Sequence, residues 1–282
     1  MSLQQSISIH KEPTTVNEPT TGLSGLHLHE LWQYRELLYF LVWRDIKVRY
    51  KQSVLGIIWI MIQPLVTMIV FTALFNQILG IGSDSEIPYP IFAYAALLPW
   101  TYFAGTLSRG TTSLVNDRNL ISKVYFPRLV MPFSNVLAGL VDFSIAFSVL
   151  LGMMVLYNIT PTLNILFLPL ALFLAVITAL GVVLWVSALN LQYRDFQYLT
   201  PFLVQIWMYA TPIIYPASRI PENWQWLYTL NPMVSVVESF RWILLGDSFP
   251  GINWASIVLA LILLISGIIY FRRTERIFAD VI

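Results

Sequence analysis

The sequence contains no cysteine among its 282 residues, and only 11% of its residues are charged. The missing cysteines exclude disulfides, thiolate metal sites and cysteine nucleophiles. Soluble domains carry roughly a quarter charged residues, whereas 57% of this chain is hydrophobic, a balance typical of an integral membrane protein. A net charge of +1 gives no basic surface for nucleic acid, so we predict no nucleic-acid partner.

Motifs for catalysis and metal binding are also missing. No GxxxxGK[ST] pattern occurs, which indicates that the chain has no ATP site of its own. The triplet Asp84-Ser85-Glu86 is the one candidate for the carboxylates of a membrane glycosyl transferase, and it is more typical of a solvated turn. His27 and His29 have no neighbouring carboxylate. We therefore predict no catalytic residue, no metal site and no enzymatic activity in this chain.

Composition divides the chain into three parts. Residues 1–28 are polar and rich in Pro, Thr and Ser, without the apolar core or cleavage site of a signal peptide. They predict a disordered cytoplasmic tail. Residues 29–51 predict an amphipathic interfacial helix, and residues 52–282 predict a transmembrane domain.

Six stretches are long and apolar enough to span a bilayer, which takes about 20 residues. No charge occurs between Asp142 and Arg194, so the third and fourth spans are divided only by the turn-like YNITPTLN. The predicted fold is therefore an all-α membrane protein with spans at about 55–79, 88–108, 130–156, 163–189, 197–216 and 252–271.

Residues 220–246 are apolar but make a poor span, because prolines interrupt them and they hold Glu238 and Arg241. Bent backbone at membrane depth must be buried in protein or line a cavity. We predict two short re-entrant helices joined near Asn231 and Pro232. An amphipathic surface loop is the alternative.

The distribution of Lys and Arg predicts the orientation. Six spans put both termini on one side, and Arg219 and Arg241 alone fall on the other. The positive-inside rule therefore predicts cytoplasmic termini. The basic residues on that side are Lys11, Arg35, Arg44, Lys47, Arg49, Lys51, Arg109, Arg118, Lys123, Arg128, Arg194, Arg272, Arg273 and Arg276.

The segment before the first span, ELWQYRELLYFLVWRDIKVRYK, has helical periodicity. Arg35, Asp45 and Arg49 break the pattern, and we expect Asp45 and Arg49 to pair and the chain to bend near Arg44. The helix serves either as a plain basic anchor or as a contact for lipid head groups. The candidate head-group residues are Arg44, Lys47, Arg49 and Lys51.

The connector between the second and third spans, with the sequence LISKVYFPRLVMP at 120–132, is unusually apolar. Residues 109–128 are sufficient for a short cytoplasmic helix that Pro127 ends, with Pro132 in the first turn of the next span. Leu120, Ile121, Val124, Tyr125 and Phe126 are expected to be exposed unless a partner covers them. Exposed apolar surface rimmed by Lys and Arg predicts a protein docking site.

Five motifs together carry a family resemblance. They are RDIKVRYKQSVLG before span one, NLISKVYFPRLVMP after span two, LNLQYRDF after span four, ATPIIYP at the end of span five and LNPM in the following loop. In this order they resemble the permease subunit of type 2 ABC exporters, most closely the branch that exports O-antigen, capsular or teichoic-acid polysaccharides. The resemblance covers about residues 30–280.

The resemblance implies a bacterial inner-membrane permease that moves a lipid-linked polysaccharide. It implies two copies of a separate ATPase subunit that bind the ATP and magnesium, and a coupling helix that docks on them. The coupling residues are then Asn119, Leu120, Ile121, Lys123, Tyr125, Phe126 and Arg128. The two short helices of 220–246 correspond to an outer gate with Asn231, Pro232, Glu238 and Arg241.

The substrate path must accommodate sugars, which pack on aromatic rings and bond to polar groups. Since six helices do not readily surround a hydrated glycan, we predict a homodimer with the pore on its axis. The candidate path residues, for which helix packing or lipid contact is the alternative, are Trp59, Gln63, Phe71, Phe75, Gln205, Trp207 and Tyr209.

Asp142 lies deep in the third span, where an unpaired carboxylate is costly. A structural hydrogen-bonding role is favoured, and proton coupling in an ion-driven flippase is the alternative. The sequence also leaves open a type 2 exporter of a drug, lipid or peptide.

Overall fold

The computed structural model describes residues 32–51, 56–80, 82 and 87–275. The predicted tail, His27, His29 and the triplet at 84–86 lie outside these residues. Within them the chain is helical and has no strand. The helices are α1 (Arg35–Lys51), α2 (Gly56–Phe71, continued by a π-helical segment Thr72–Ile78), α3 (Tyr89–Asn116), α4 (Arg118–Lys123), α5 (Val130–Leu156), α6 (Leu168–Gln192, preceded by a 3-10 turn Leu163–Phe167), α7 (Phe196–Tyr209), α8 (Glu222–Thr229, after a 3-10 turn Ala217–Arg219), α9 (Pro232–Leu245) and α10 (Trp254–Glu275).

Each predicted span corresponds to a helix, and four of the described helical segments are long and apolar enough to cross a membrane. These are Gly56–Ile78, Val130–Leu156, Leu163–Gln192 and Trp254–Glu275. The other two predicted spans correspond to α3 and α7. Helix α3 has 28 residues but a more polar second half, whereas α7 has only 14 residues.

Helix α3 forms the centre of the molecule. Its residues from Ile91 to Trp100 are all buried, and it packs against α2, α5, α6, α7 and α9. Because this helix contacts protein on all sides, it does not need the continuous apolar surface that lipid-facing spans require. Its polar second half, with Ser, Thr and Arg109, follows from that position.

Two ends of the bundle can be defined from contacts between helix termini. The first end contains α1, α4 and the last turn of α10; there Arg44 bonds to Asp117 and Arg128 bonds to Glu275. The opposite end contains α8 and α9; there the Tyr89 hydroxyl donates to the Ile214 carbonyl. We call them the α4 end and the gate end. The five long helices α2, α3, α5, α6 and α10 run between these ends, and the shorter α7 runs from the α4 end towards the gate end, so that the six helices alternate in direction.

Helices α6 and α10 cross closely through two glycines. A Cβ atom at Gly267 would lie 2.7 Å from the Gly181 carbonyl oxygen, and one at Gly181 would lie 2.8 Å from the Leu264 nitrogen. Both distances involve backbone, which cannot move aside as a flexible side chain can. Small residues at such crossings are typical of helices packed in membranes.

We predict that Gly267→Ala destabilises the protein by about 1–3 kcal/mol, because the added methyl group forces α6 and α10 apart. Gly152→Ala is the matched control, since a Cβ at that helical glycine meets nothing within 4 Å. Thermal unfolding in detergent measures both variants. Equal melting temperatures would contradict the close crossing.

Candidate functional site

The connector between α3 and α5 forms the main candidate site, but it contains less helix than predicted. Helix α3 continues to Asn116, so the short helix α4 has only six residues, Arg118–Lys123. Val124 is already extended and ends α4, three residues before Pro127. Pro132 lies in the first turn of α5, as predicted.

The exposure of the apolar connector residues was only partly predicted. Val124 and Tyr125 are 50% and 85% exposed, as expected of a docking surface. The prediction was wrong for Phe126 and Ile121, which are only 5% and 7% exposed because their side chains pack into the hydrophobic core. The outward-facing surface therefore includes Asn119, Lys123, Val124 and Tyr125, beside the exposed Arg118 and Ser122 and the half-buried Leu120.

Arg128 fastens the connector to the end of the last helix. The Arg128 backbone N–H donates to Glu275 Oε1 at 3.1 Å, and its guanidinium donates to the Glu275 carbonyl oxygen. This predicted coupling residue is therefore committed to an internal contact. It joins two elements that are far apart in the sequence but lie at the same end of the bundle.

Asp142 is fully paired, which confirms the predicted hydrogen-bonding role. One carboxylate oxygen accepts from Arg49 and lies 3.3 Å from an Arg109 nitrogen. The other accepts from the Tyr50 hydroxyl at 2.6 Å. The carboxylate of α5 thus binds two side chains of α1 and one of α3.

Arg44 forms a second contact between α1 and the connector. Its guanidinium donates two bonds to Asp117, at 2.9 and 2.8 Å, and also donates to Asp45. Burial raises the pKa of the Asp45 carboxyl, and the bonds from Arg44 offset this only in part. Arg44 thus offsets part of the cost of burying Asp45, and its bonds to Asp117 hold α1 against the start of α4.

The four predicted head-group residues fall into two groups. Arg44 and Arg49 are used in the internal ion pairs, whereas Lys47 and Lys51 are exposed on α1. The expected pair of Asp45 with Arg49 is wrong, because Arg49 bonds to Asp142 instead.

Helix α1 does not divide cleanly into an apolar and a polar face. It runs as one helix through the position where a bend was expected, and it packs against α5. Leu41 is buried against the bundle, but Tyr39, Phe40 and Trp43 on other sides of the helix are more than half exposed. The helical periodicity predicted an apolar and a polar face, but it did not predict that these aromatic residues are exposed.

A polar cleft of about 480 Å³ lies between α1, α3 and α5. Its walls include the paired arginines and acids together with Ser113, Ser134 and Asn135. The Asn135 Oδ1 atom is buried and has no hydrogen-bond partner in the described part of the chain. Because each arginine of the cleft faces a carboxylate, its charges are balanced internally.

The predicted path residues are divided between surface and core. Trp59, Gln63, Gln205 and Tyr209 are exposed on α2 and α7, two helices that both pack against α3. The remaining three are more enclosed. Phe71 is buried with its ring edge-on to the half-buried Phe75 at 5.8 Å, and its place on the substrate path stays a prediction.

Trp207 is a structural contact as well as a candidate path residue. Its ring packs edge-on against Phe103 at 5.0 Å, and its N–H donates to Asn231 Oδ1 at 2.9 Å. Asn231 also accepts from the Met233 backbone and so caps α9, with Pro232 as its first residue. The two short helices predicted to meet near Asn231 are α8 and α9. The bond from Trp207 to Asn231 attaches their junction to α7.

Glu238 and Arg241 form an internal brace. Arg241 is only 1% exposed and bonds to Glu238 at 3.0 Å and to the Ile213 carbonyl at 2.9 Å. Its guanidinium carbon lies 3.6 Å from the centre of the Phe92 ring. This brace links α9, α3 and the segment after α7 at the gate end.

Several residues of the site were not identified from the sequence. Asp117, Arg109, Tyr50 and Glu275 all bond to partners that are more than 30 residues away. Only the rule that buried charges need partners pointed to such contacts. That rule identified Asp142 but gave no means of choosing its partners.

The chain matches known proteins over most of its length. The family model for the ABC-2 type transporter matches residues 36–245. The O-antigen export system permease protein RfbA of Myxococcus xanthus is 32% identical over 255 residues, which cover 88% of this chain and 96% of the relative. RfbA of Klebsiella pneumoniae is 30% identical, covering 88% and 95% of the two chains. The polysialic acid transport protein KpsM of Escherichia coli is 25% identical, covering 83% and 91%.

We predict that Asp142→Asn destabilises the protein by about 1–3 kcal/mol, since it leaves Arg49 and Arg109 without a counter-charge. Asp195→Asn is the control, because Asp195 is exposed and makes no capping bond at the start of α7. Thermal unfolding and protease sensitivity of α1 measure the effect. In the Asp142→Asn background, Arg49→Gln should recover part of the stability; no recovery would contradict the pairing.

Proposed function

Because the chain belongs to the ABC-2 type transporter family, we propose that it is the permease subunit of an ATP-driven exporter of a lipid-linked polysaccharide. The observation that carries this proposal is the similarity to RfbA and KpsM along nearly the whole chain. A polymer of the O-antigen, capsule or teichoic-acid type is the proposed cargo.

The proposed topology has six spans in a bacterial inner membrane, with the α4 end in the cytoplasm. The alternating directions of α2, α3, α5, α6, α7 and α10 support six spans. Helix α7 is short for a span, at 14 residues, but the segment 210–216 that follows it is mostly buried and extends its course towards the gate end. The basic residues of α1, α4 and α10 support the orientation.

The proposed energy source is a separate ATPase subunit bound to the surface formed by Asn119, Lys123, Val124 and Tyr125. A large aromatic ring that is 85% exposed beside a basic residue is typical of a protein contact. Two chains and two ATPase subunits form the proposed assembly, with α2 and α7 of both chains facing the polymer. Exposed aromatic and amide groups on these two helices suit a glycan.

An ion-driven flippase is less well supported. Such a protein needs a carboxylate that exchanges protons within the membrane. Asp142 and Glu238 each bond to arginine within the protein, so both carboxyl groups already have internal partners. A role in structure accounts for both.

The proposal predicts ATP-dependent movement of a lipid-linked oligosaccharide in proteoliposomes that contain the chain and its ATPase. With the ATPase facing outwards, the glycan should become protected from external periodate when ATP is added. An ATPase that lacks the lysine of its phosphate-binding loop is the control. Protection driven by an ion gradient without the ATPase would overturn the proposal.

We predict that Tyr125→Asp abolishes co-purification with the ATPase and leaves the fold intact, because the exposed ring is lost without any loss of core packing. Surface changes of this kind alter stability by about 0.5 kcal/mol or less. Tyr157→Asp, an exposed tyrosine at the gate end, is the control and should retain the ATPase. Normal association of Tyr125→Asp would reject this surface as the docking site.

A further inference from the structure

The gate end contains a large cavity to which the proposed function assigns no ligand. It measures about 1090 Å³ and lies between the end of α7, the segment before α8, α8 itself, the start of α9 and the first half of α10. This volume is at the upper end of the range for ligand pockets. Four aromatic residues contribute to its wall, namely Trp207, Tyr215, Trp224 and Tyr228.

The wall of the cavity consists mainly of ring faces and aliphatic side chains, and several of its polar groups are bonded within the protein. The Tyr215 hydroxyl donates to the Tyr209 carbonyl oxygen at 3.0 Å and also bonds to the Tyr228 hydroxyl. The Trp207 N–H is used by Asn231. A sugar would bring many hydroxyl groups, for which this largely apolar wall supplies few partners, and each unpaired hydroxyl would be costly to bury. A hydrocarbon chain has no such requirement.

The depth of the cavity also fits a hydrocarbon chain. Leu259 and Leu263 line it, and at 1.5 Å per residue Leu263 lies about 13 Å along α10 from Trp254. Exposed tryptophans on α8 and at the start of α10, Trp224, Trp226 and Trp254, are typical of a membrane–water interface. The cavity therefore extends from the interface towards the apolar part of the bilayer.

Arg219 supplies a positive charge to the wall of this cavity. It is one of only two basic residues on the gate side of the predicted topology. A guanidinium is well suited to a phosphate group, with which it forms paired charge-assisted bonds. A charged group beside an otherwise apolar cavity is the arrangement that a lipid with a phosphate head group requires.

We propose that this cavity binds the hydrocarbon chain of a phosphate-bearing lipid, with the phosphate at Arg219. The inference rests on the proposed function for the membrane position of the gate end. In that setting two lipids have the required chemistry, the polyprenyl phosphate carrier of the glycan and an anionic phospholipid such as phosphatidylglycerol. Trp207 lines the cavity and is also a candidate residue of the substrate path. The cavity therefore lies beside the route proposed for the exported lipid.

The test is photolabelling of the full chain in nanodiscs, with two diazirine probes in separate samples, a polyprenyl phosphate and a phosphatidylglycerol. Peptide mapping should locate the label in residues 207–232 and 259–263, the two segments that line the cavity. Leu227→Trp and Leu259→Trp fill the cavity and should each remove most of the label. Leu261→Trp is the matched control, because Leu261 is exposed on the same helix and does not line the cavity.

A second comparison isolates the phosphate contact. Arg219→Gln should lower labelling by both phosphate probes by about tenfold, and it should leave labelling by a neutral diacylglycerol probe unchanged. Competition with unlabelled lipids then identifies the source: stronger competition by polyprenyl phosphate indicates the carrier, and stronger competition by phosphatidylglycerol indicates a resident phospholipid. Thermal unfolding of each variant verifies that the fold is retained.

Several results would overturn the proposal. The first is label outside the two segments. The second is label that the cavity-filling variants do not reduce. The third is labelling by the neutral probe that stays the same in the cavity-filling variants as well as in Arg219→Gln. A second copy of the chain is the rival occupant. Since the chain has no cysteine, Leu227→Cys with a bismaleimide reagent reports that contact without background, and efficient dimer cross-linking would reject the lipid. The labelling needs neither ATPase nor glycan, so its failure is distinct from failure of the export assay.

Discussion

A charged side chain in a membrane is tolerated only where the protein supplies its partner, and this constraint organises both ends of the molecule. At the α4 end, Asp142 of α5 binds Arg49, Tyr50 and Arg109. These contacts fasten α1 to α3 and α5. At the gate end, Arg241 binds Glu238, the Ile213 carbonyl and the Phe92 ring, and so fastens α9 and the segment after α7 to α3. The elements outside the long helices are thus held by polar contacts, whereas the long helices pack through apolar side chains and glycines.

Helix α3 receives both sets of contacts. Arg109 near its second end belongs to the Asp142 cluster, and Phe92 near its first end lies beneath Arg241. Helices α2 and α7, which carry the exposed candidate path residues, also pack against it. A displacement of α3 therefore reaches the path helices and the gate end together. Polar contacts at both ends of α3 are compatible with such a displacement, because one hydrogen-bond partner can be exchanged for another at little cost. Separating a packed apolar surface, by contrast, exposes its whole area.

The sequence predicted the long helices within a few residues, because lipid-facing spans are long apolar runs and their ends carry charges or prolines. It also predicted the joint at Asn231 and the pairing of Asp142. The predicted ends were less accurate for helices that are surrounded by protein, because such helices do not need the continuous apolar surface of a lipid-facing span. The polar second half of α3 placed the predicted end of that span at 108 instead of Asn116, and α7 is shorter than the apolar stretch that predicted it. Phe126 was assigned to the surface because its neighbours in the sequence are exposed, and no local pattern distinguishes a loop residue that folds back into the core from one that does not. The partners of Asp142 and Arg44 are long-range contacts, which a single sequence does not specify.

The burial of Phe126 bears directly on how a connector can transmit force. A loop whose apolar residues all faced a partner would be free to move with that partner while the helices stayed in place. In this chain Ile121 and Phe126 are embedded in the core on either side of the exposed Val124 and Tyr125, and Arg128 binds the end of α10 through Glu275. A subunit that binds Tyr125 therefore contacts a segment that is attached to the rest of the chain at three residues, Ile121, Phe126 and Arg128. The third of these, Arg128, bonds to α10. Because α10 crosses α6 at a distance that admits no side chain, movement at this attachment passes into α6 and, through the packing of α6 on α3, into the centre of the bundle.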